Sequence, residues 1–64
     1  MSTAIAGLQY DPDTKILRVI FVKGGVWTFE NVEAETAEAF KTAGSQGSFF
    51  NMMIRGKYNY RRGG

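Results

Sequence analysis

Ile16-Leu17-Arg18-Val19-Ile20-Phe21-Val22, Lys23-Gly24-Gly25 and Val26-Trp27-Thr28-Phe29-Glu30 follow one another in the middle of the chain. The first and last of these runs are rich in β-branched and aromatic side chains, which suit a pleated, half-buried surface. The glycines between them supply the positive φ that a tight hairpin needs. Working outward toward the N-terminus, Ile5 to Tyr10 alternates mildly. Asp11-Pro12-Asp13-Thr14 then supplies turn chemistry, with proline preset for the second turn position. Together these signals predict a three-stranded antiparallel meander.

Toward the C-terminus, Asn31-Val32 leads into Glu33-Ala34-Glu35-Thr36-Ala37-Glu38-Ala39-Phe40-Lys41-Thr42-Ala43. Glutamates early, a lysine late and Gly44 just beyond match the helix macrodipole and its usual stop. The apolar stripe of Val32, Thr36 or Ala37, Phe40 and Ala43 is narrow, so Phe40 is the expected anchor. Gly44-Ser45-Gln46-Gly47-Ser48 reads as a turn offering a hydroxyl N-cap to a second helix, Phe49 to Ile54, which Gly56 closes. In that helix Phe49 meets Met53 and Phe50 meets Ile54 at i, i+4, and Met52 and Met53 fill gaps beneath it. Phe21, Phe40 and Phe50 fall where the apolar period points inward. The fold class is α+β: a three-stranded antiparallel β-meander followed by two short helices and a basic aromatic C-terminal tail.

Leu17, Val19 and Phe21 point to one face of the middle strand, whereas Ile16, Ile20 and Val22 point to the other. About twenty helical residues cover one face of a small sheet and hardly two, so the second face needs the tail or another subunit. A homo-oligomer is expected on this ground.

At 64 residues the chain has room for one domain, spanning 1–64. It contains no cysteine and no histidine. That excludes disulfides, thiol nucleophiles, zinc-finger spacings and histidine acid–base machinery. No cofactor or metal motif is present, and Asp11 and Asp13 are explained by capping their own turn, so no enzyme is expected. The chain has no apolar run long enough to span a bilayer, and Met1-Ser2-Thr3-Ala4 lacks a basic region and a signal core. The expectation is a cytoplasmic protein with no membrane association.

The formal net charge of +2 hides a division. Residues 1–40 hold three cations against six acids, a net of −3, whereas residues 41–64 hold Lys41, Arg55, Lys57, Arg61 and Arg62 with no acid, a net of +5. A basic end on an acidic body fits a surface that meets an anion, or equally a solvated tail that keeps the protein soluble.

The run Tyr10-Asp11-Pro12, Leu17-Arg18-Val19-Ile20-Phe21, Gly25-Val26-Trp27-Thr28-Phe29 and Val32 resembles the KTSC domain, a short module found alone and at the C-terminus of some lysyl-tRNA synthetases. The second half, Gly47-Ser48-Phe49-Phe50-Asn51, Ile54-Arg55-Gly56-Lys57-Tyr58 and Tyr60-Arg61-Arg62, is similar to that family's glycine, aromatic-Phe-Asn, Ile-Arg and closing Tyr-Arg-Arg pattern. Two departures stand out. Trp27-Thr28-Phe29 replaces an aromatic pair that is usually two tyrosines, which removes two phenolic hydroxyls, and Glu33 stands where the family usually has proline. The resemblance implies the fold and, for function, a proposed role in RNA binding.

Arg55-Gly56-Lys57-Tyr58-Asn59-Tyr60-Arg61-Arg62 interleaves cations with tyrosines. Cations meet phosphates while tyrosine rings or guanidinium planes stack on bases, the combination used in sequence-tolerant nucleotide recognition. The structural alternative has Tyr58 and Tyr60 packing over the uncovered sheet face and the arginines pairing with Glu33, Glu35 or Glu38. If the tail is extended, Lys57, Asn59 and Arg61 lie on one side and Tyr58, Tyr60 and Arg62 on the other. Trp27 and Phe29 share a strand face and are either core or an exposed stacking platform. Gly44 to Ser48 is either an anion nest or a plain turn.

The candidate ligand-binding residues are therefore Asn51, Arg55, Lys57, Tyr58, Tyr60, Arg61 and Arg62. The expected function is a non-catalytic binding module for an anionic, base-containing partner, RNA or a small nucleotide, including a phage-type protein that sequesters a nucleotide signal. The alternative is a protein-interaction module that docks on transcription or translation machinery through its apolar sheet face.

Overall fold

The hairpin signals at Asp11-Pro12-Asp13-Thr14 and Lys23-Gly24-Gly25 each turn the chain back on itself in the computed structural model, which describes residues 4–63. The start Met1-Ser2-Thr3, read above for signal character, lies outside these residues. Strands β1 (Ile5–Asp11), β2 (Ile16–Phe21) and β3 (Gly25–Phe29) form an antiparallel meander. In the first turn the Asp13 N–H donates to the Asp11 carboxylate at 2.9 Å, and Lys15 takes a positive φ of 58°. In the second, Gly25 takes a φ of 78°, the left-handed step that a three-residue loop requires.

A bulge near the start of β1 shifts the register between Ile5 and Gly7. The extra residue, Ala6, changes the alternation phase, so Ile5 and Leu8 both face the helices although they are three positions apart. Ile5 is buried as a result, and Ala6 is exposed.

The tail supplies a fourth strand. β4 (Tyr60–Arg62) pairs antiparallel with β3, so the sheet order is β1-β2-β3-β4 and the expected three strands become four. The tail therefore roofs neither face of the sheet; it extends the edge. Cross-strand rows follow from the register. Leu8, Val19, Trp27 and Arg62 lie on one side with Tyr10, Leu17, Phe29 and Tyr60. Gln9, Arg18, Thr28 and Arg61 lie on the other with Gly7, Ile20 and Val26.

The helices cover only the first side. α1 (Ala34–Thr42) buries Ala37 and Phe40 from the expected stripe, with Phe40 fully inaccessible. Its approach is set by Val32, whose N–H donates to the Lys15 carbonyl at 2.9 Å while its carbonyl accepts from the Tyr10 hydroxyl at 2.6 Å. The second helix, α2 (Gln46–Phe49), begins inside the stretch read as a turn, because Ser45 accepts from the Ser48 N–H and caps it there. The chain then widens into a π turn, Phe50–Ile54, closed by the Arg55 N–H to the Phe50 carbonyl at 2.8 Å, and Gly56 reverses it with a φ of 76°.

That wider turn rotates the side chains relative to an α-helix. Phe49 stacks on Phe40 with ring centroids 5.2 Å apart, and Ile54 is fully buried. Met52 and Met53 turn outward, 71% and 49% exposed, and so do not fill gaps beneath the helix as expected. The core is Ile5, Leu17, Val19, Phe29, Val32, Ala37, Phe40 and Ile54, with Phe21 and Phe50 half-buried at its edge.

On the uncovered side Ile16, Ile20 and Val26 are half-buried by their neighbours and interleaved with Gln9, Arg18, Thr28 and Arg61. It is an amphipathic face, more polar than the β2 alternation alone suggests.

Candidate functional site

Strand pairing divides the tail between two faces of the sheet. Opposite Trp27, Arg62 sets its guanidinium 5.2 Å from the indole centroid, and Tyr60 stacks on the same indole at 4.9 Å with an 18° tilt between planes. Tyr60 remains 53% exposed. Arg61 points to the outer face, where its guanidinium meets the Glu30 carboxylate at 3.2 Å. That pair is solvated and contributes less than about 1 kcal/mol. The arginine partner is thus Glu30, and not Glu33, Glu35 or Glu38. Period two in the tail holds across β4: Tyr60 and Arg62 on one side, Arg61 on the other.

The remaining candidates separate further. Tyr58 packs against the core edge, half-buried. With Lys57, Asn59, Glu30 and Asn31 it lines a polar hollow of about 260 Å³. Asn51 is exposed on the π turn. Arg55 follows that turn and belongs to a different concavity.

This second concavity is the most coherent site in the described residues. Its walls are the rings of Phe21, Trp27 and Phe50, with Ala4 and Gly24 beside them, and its exposed cations are Lys23 and Arg55. The volume is about 360 Å³, within the range of small-molecule clefts. Three structural decisions build it. The β2–β3 turn places Lys23 and Gly24 at one end, where the Trp27 indole N–H donates to the Gly24 carbonyl at 3.2 Å and fixes the ring. The register then sets Trp27 edge-on to Phe21, with centroids at 6.0 Å. The π turn delivers Phe50 edge-on to Phe21 at 5.1 Å and to Phe29 at 5.7 Å, and presents Arg55 one residue after its end.

No acidic side chain lines this cleft. Glu30 lines the polar hollow beneath the tail, and Asp11 shares a third concavity with Arg18. An anion entering the aromatic cleft therefore meets cations without a competing carboxylate in its wall.

Sequence reasoning selected Arg55, Tyr60 and Arg62 and missed Phe21, Lys23, Trp27 and Phe50 as a set. Trp27 and Phe29 do share a face but divide the two roles weighed for them: Phe29 is core, 2% exposed, whereas Trp27 is a half-buried rim residue. The signal for this was the hairpin register, which places Trp27 opposite Val19 on the turn side of the hairpin and Phe29 opposite Leu17 at the far end of β3. Gly44 to Ser48 holds a capped helix start with no lining role in the cleft.

A four-stranded antiparallel sheet with helices on one face and a basic aromatic cleft at one end defines a small α+β domain. The chain belongs to the KTSC domain family, whose model matches residues 1–58. It is 36% identical over 62 residues to an uncharacterized protein of Stutzerimonas stutzeri, covering 95% of this chain and 87% of that protein. It is also similar to the crystal structure of a KTSC domain protein from Yersinia pestis, at 32% identity and a TM-score of 0.93, over 100% of this chain and 92% of that one. The family match ends at Tyr58, before β4, whereas the structural match includes it.

Proposed function

We propose that the protein is a non-catalytic binding module for an anionic, base-containing partner, RNA or a small nucleotide, working in the cytoplasm where such ligands are held. The observation that carries this is the aromatic cleft whose cations, Lys23 and Arg55, have no acid beside them in its wall. Flat rings offer stacking or edge contact to a base, and the cations offer charge-assisted hydrogen bonds to phosphate. Arg62 and Tyr60 on Trp27 extend the same chemistry to the exposed edge of the sheet. A module without cysteine or histidine has few routes to catalysis, which favours sequestration or delivery over turnover. Carried by a phage, such a protein would lower the free level of a nucleotide signal by binding it stoichiometrically. Among the described residues no helix is long and apolar enough to cross a membrane.

Self-association belongs to this proposal. Ile16, Ile20 and Val26 have no helix over them, and Val22 is 60% exposed beside them. The same residues support a second reading, a protein-interaction module docked on transcription or translation machinery through this face. The test between ligand classes is a native mass spectrum of the protein as purified from cells, followed by denaturation and analysis of released small molecules and RNA. A base-containing phosphate released from a homo-oligomer is the expected result. A stripped protein that rebinds neither nucleotides nor RNA, and instead captures a protein stoichiometrically, overturns it.

A further inference from the structure

We infer that the cleft takes one nucleoside phosphate, a single base with its phosphate group, and is not a station on a groove that tracks an RNA strand. This rests on the reading of the protein as a binder of anionic, base-containing ligands, and narrows it to one source.

Sequence-tolerant strand binding combines successive stacking rings with a continuous positive groove that follows the backbone. The fold breaks that continuity. Of the tail cations, Arg62 lies on the helix side against Trp27, whereas Arg61 lies on the opposite face in contact with Glu30. Lys57 sits in the polar hollow that Glu30 and Asn31 also line. A strand leaving the cleft along the tail would meet a carboxylate and have to change faces of the sheet.

Around the cleft the arrangement is convergent instead. Lys23 comes from the β2–β3 turn and Arg55 from the end of the π turn, separate elements brought to one concavity of about 360 Å³ walled by Phe21, Trp27 and Phe50. Small-molecule clefts begin at about 300 Å³, so this one is of a size that suits a single nucleotide. An apolar wall for one base and two cations for its phosphate is a complete recognition set.

The chain has one tryptophan, and it forms part of the wall, so its fluorescence reports occupancy directly. The full chain is titrated with the four ribonucleoside 5′-triphosphates, their 3′,5′-cyclic monophosphates, inorganic triphosphate and a uridine decamer. At least one nucleotide should change Trp27 emission saturably and bind no more weakly than the decamer, with inorganic triphosphate weaker. The double variant Lys23→Ala, Arg55→Ala alters exposed side chains and should fold, as circular dichroism will verify. It should lose roughly tenfold or more in affinity, whereas Lys41→Ala should bind as the wild type does. Tight binding of the decamer with weak binding of every nucleotide overturns this inference and leaves the broader proposal standing. Nucleotide binding that leaves Trp27 emission and the double variant unaffected also overturns it. Binding of no base-containing anion at all brings down both.

Discussion

Tyr58 and Tyr60 sit two residues apart in a polar tail, yet their surroundings assign them different work. Tyr58 packs on the edge of the core, and Tyr60 lies half exposed on the indole of Trp27. Tyr58→Ala should therefore lower the melting temperature of the unliganded protein. Tyr60→Ala should change it little and remove roughly 1 to 3 kcal/mol of affinity if the ring extends the stacking surface. Thermal melts with and without nucleotide check both, and a larger stability loss for Tyr60→Ala than for Tyr58→Ala would show that Tyr60 is structural. Tyr10 offers a second test at this scale, since its hydroxyl donates to the Val32 carbonyl and ties α1 to the first hairpin. Tyr10→Phe should cost about 0.5 to 1.5 kcal/mol, visible as a drop of several degrees in the melting temperature of so small a domain. Phe40 was legible as an anchor because the helix stripe offered nothing else of its size. The exposure of Met52 was not, because apolar character alone does not reveal which way a distorted turn points.

Elements joined by strong turn chemistry could be read directly from the chain. Asp11-Pro12-Asp13 and Gly24-Gly25 fixed the first three strands, and Gly25 does adopt the positive φ. An added Cβ at Gly25 meets nothing within 4 Å, so the cost of Gly25→Ala is backbone strain alone. About 1 kcal/mol of lost stability is expected, measured by urea denaturation, and an unchanged midpoint would contradict the turn geometry. The second helix was harder to read because Ser45 and Ser48 are both competent caps, and the choice depends on tertiary packing. A π turn has no period of its own in the sequence, and a three-residue strand such as β4 has too few residues to alternate convincingly. Those two short elements set much of the candidate site. Phe50 opens the π turn and Arg55 follows it, and Tyr60 and Arg62 come from β4.

For the whole molecule, size is the governing constraint. A domain of this length hides only about 60% of the surface its unfolded chain exposes, so a face without helices weighs heavily in its stability. The outer face of Ile16, Ile20 and Val26 with Arg18 and Arg61 has the mixed character of an interface between subunits. Light scattering at micromolar concentration should give a dimer or a larger closed oligomer, and Ile20→Lys should shift it toward the 7.1 kDa monomer. A wild-type protein that is wholly monomeric removes this element of the proposal. Cleft chemistry was only partly legible at this scale: the charge asymmetry located a basic end, but the sheet register distributes those charges over two faces. Lys23, from the acidic half of the chain, joins the cleft only through folding.

The central claim is that phosphate contacts hold the ligand while aromatic rings hold its base, and salt separates this from an apolar docking surface. The measurement is the affinity of the intact protein for its best nucleotide across about 50 to about 200 mM salt, plotted as logarithm against logarithm. Contacts from Lys23 and Arg55 to the phosphate should make affinity fall steadily as salt rises, because mobile ions screen charges that meet in an exposed cleft. A flat plot, the behaviour of an interface driven by apolar burial, would contradict the claim.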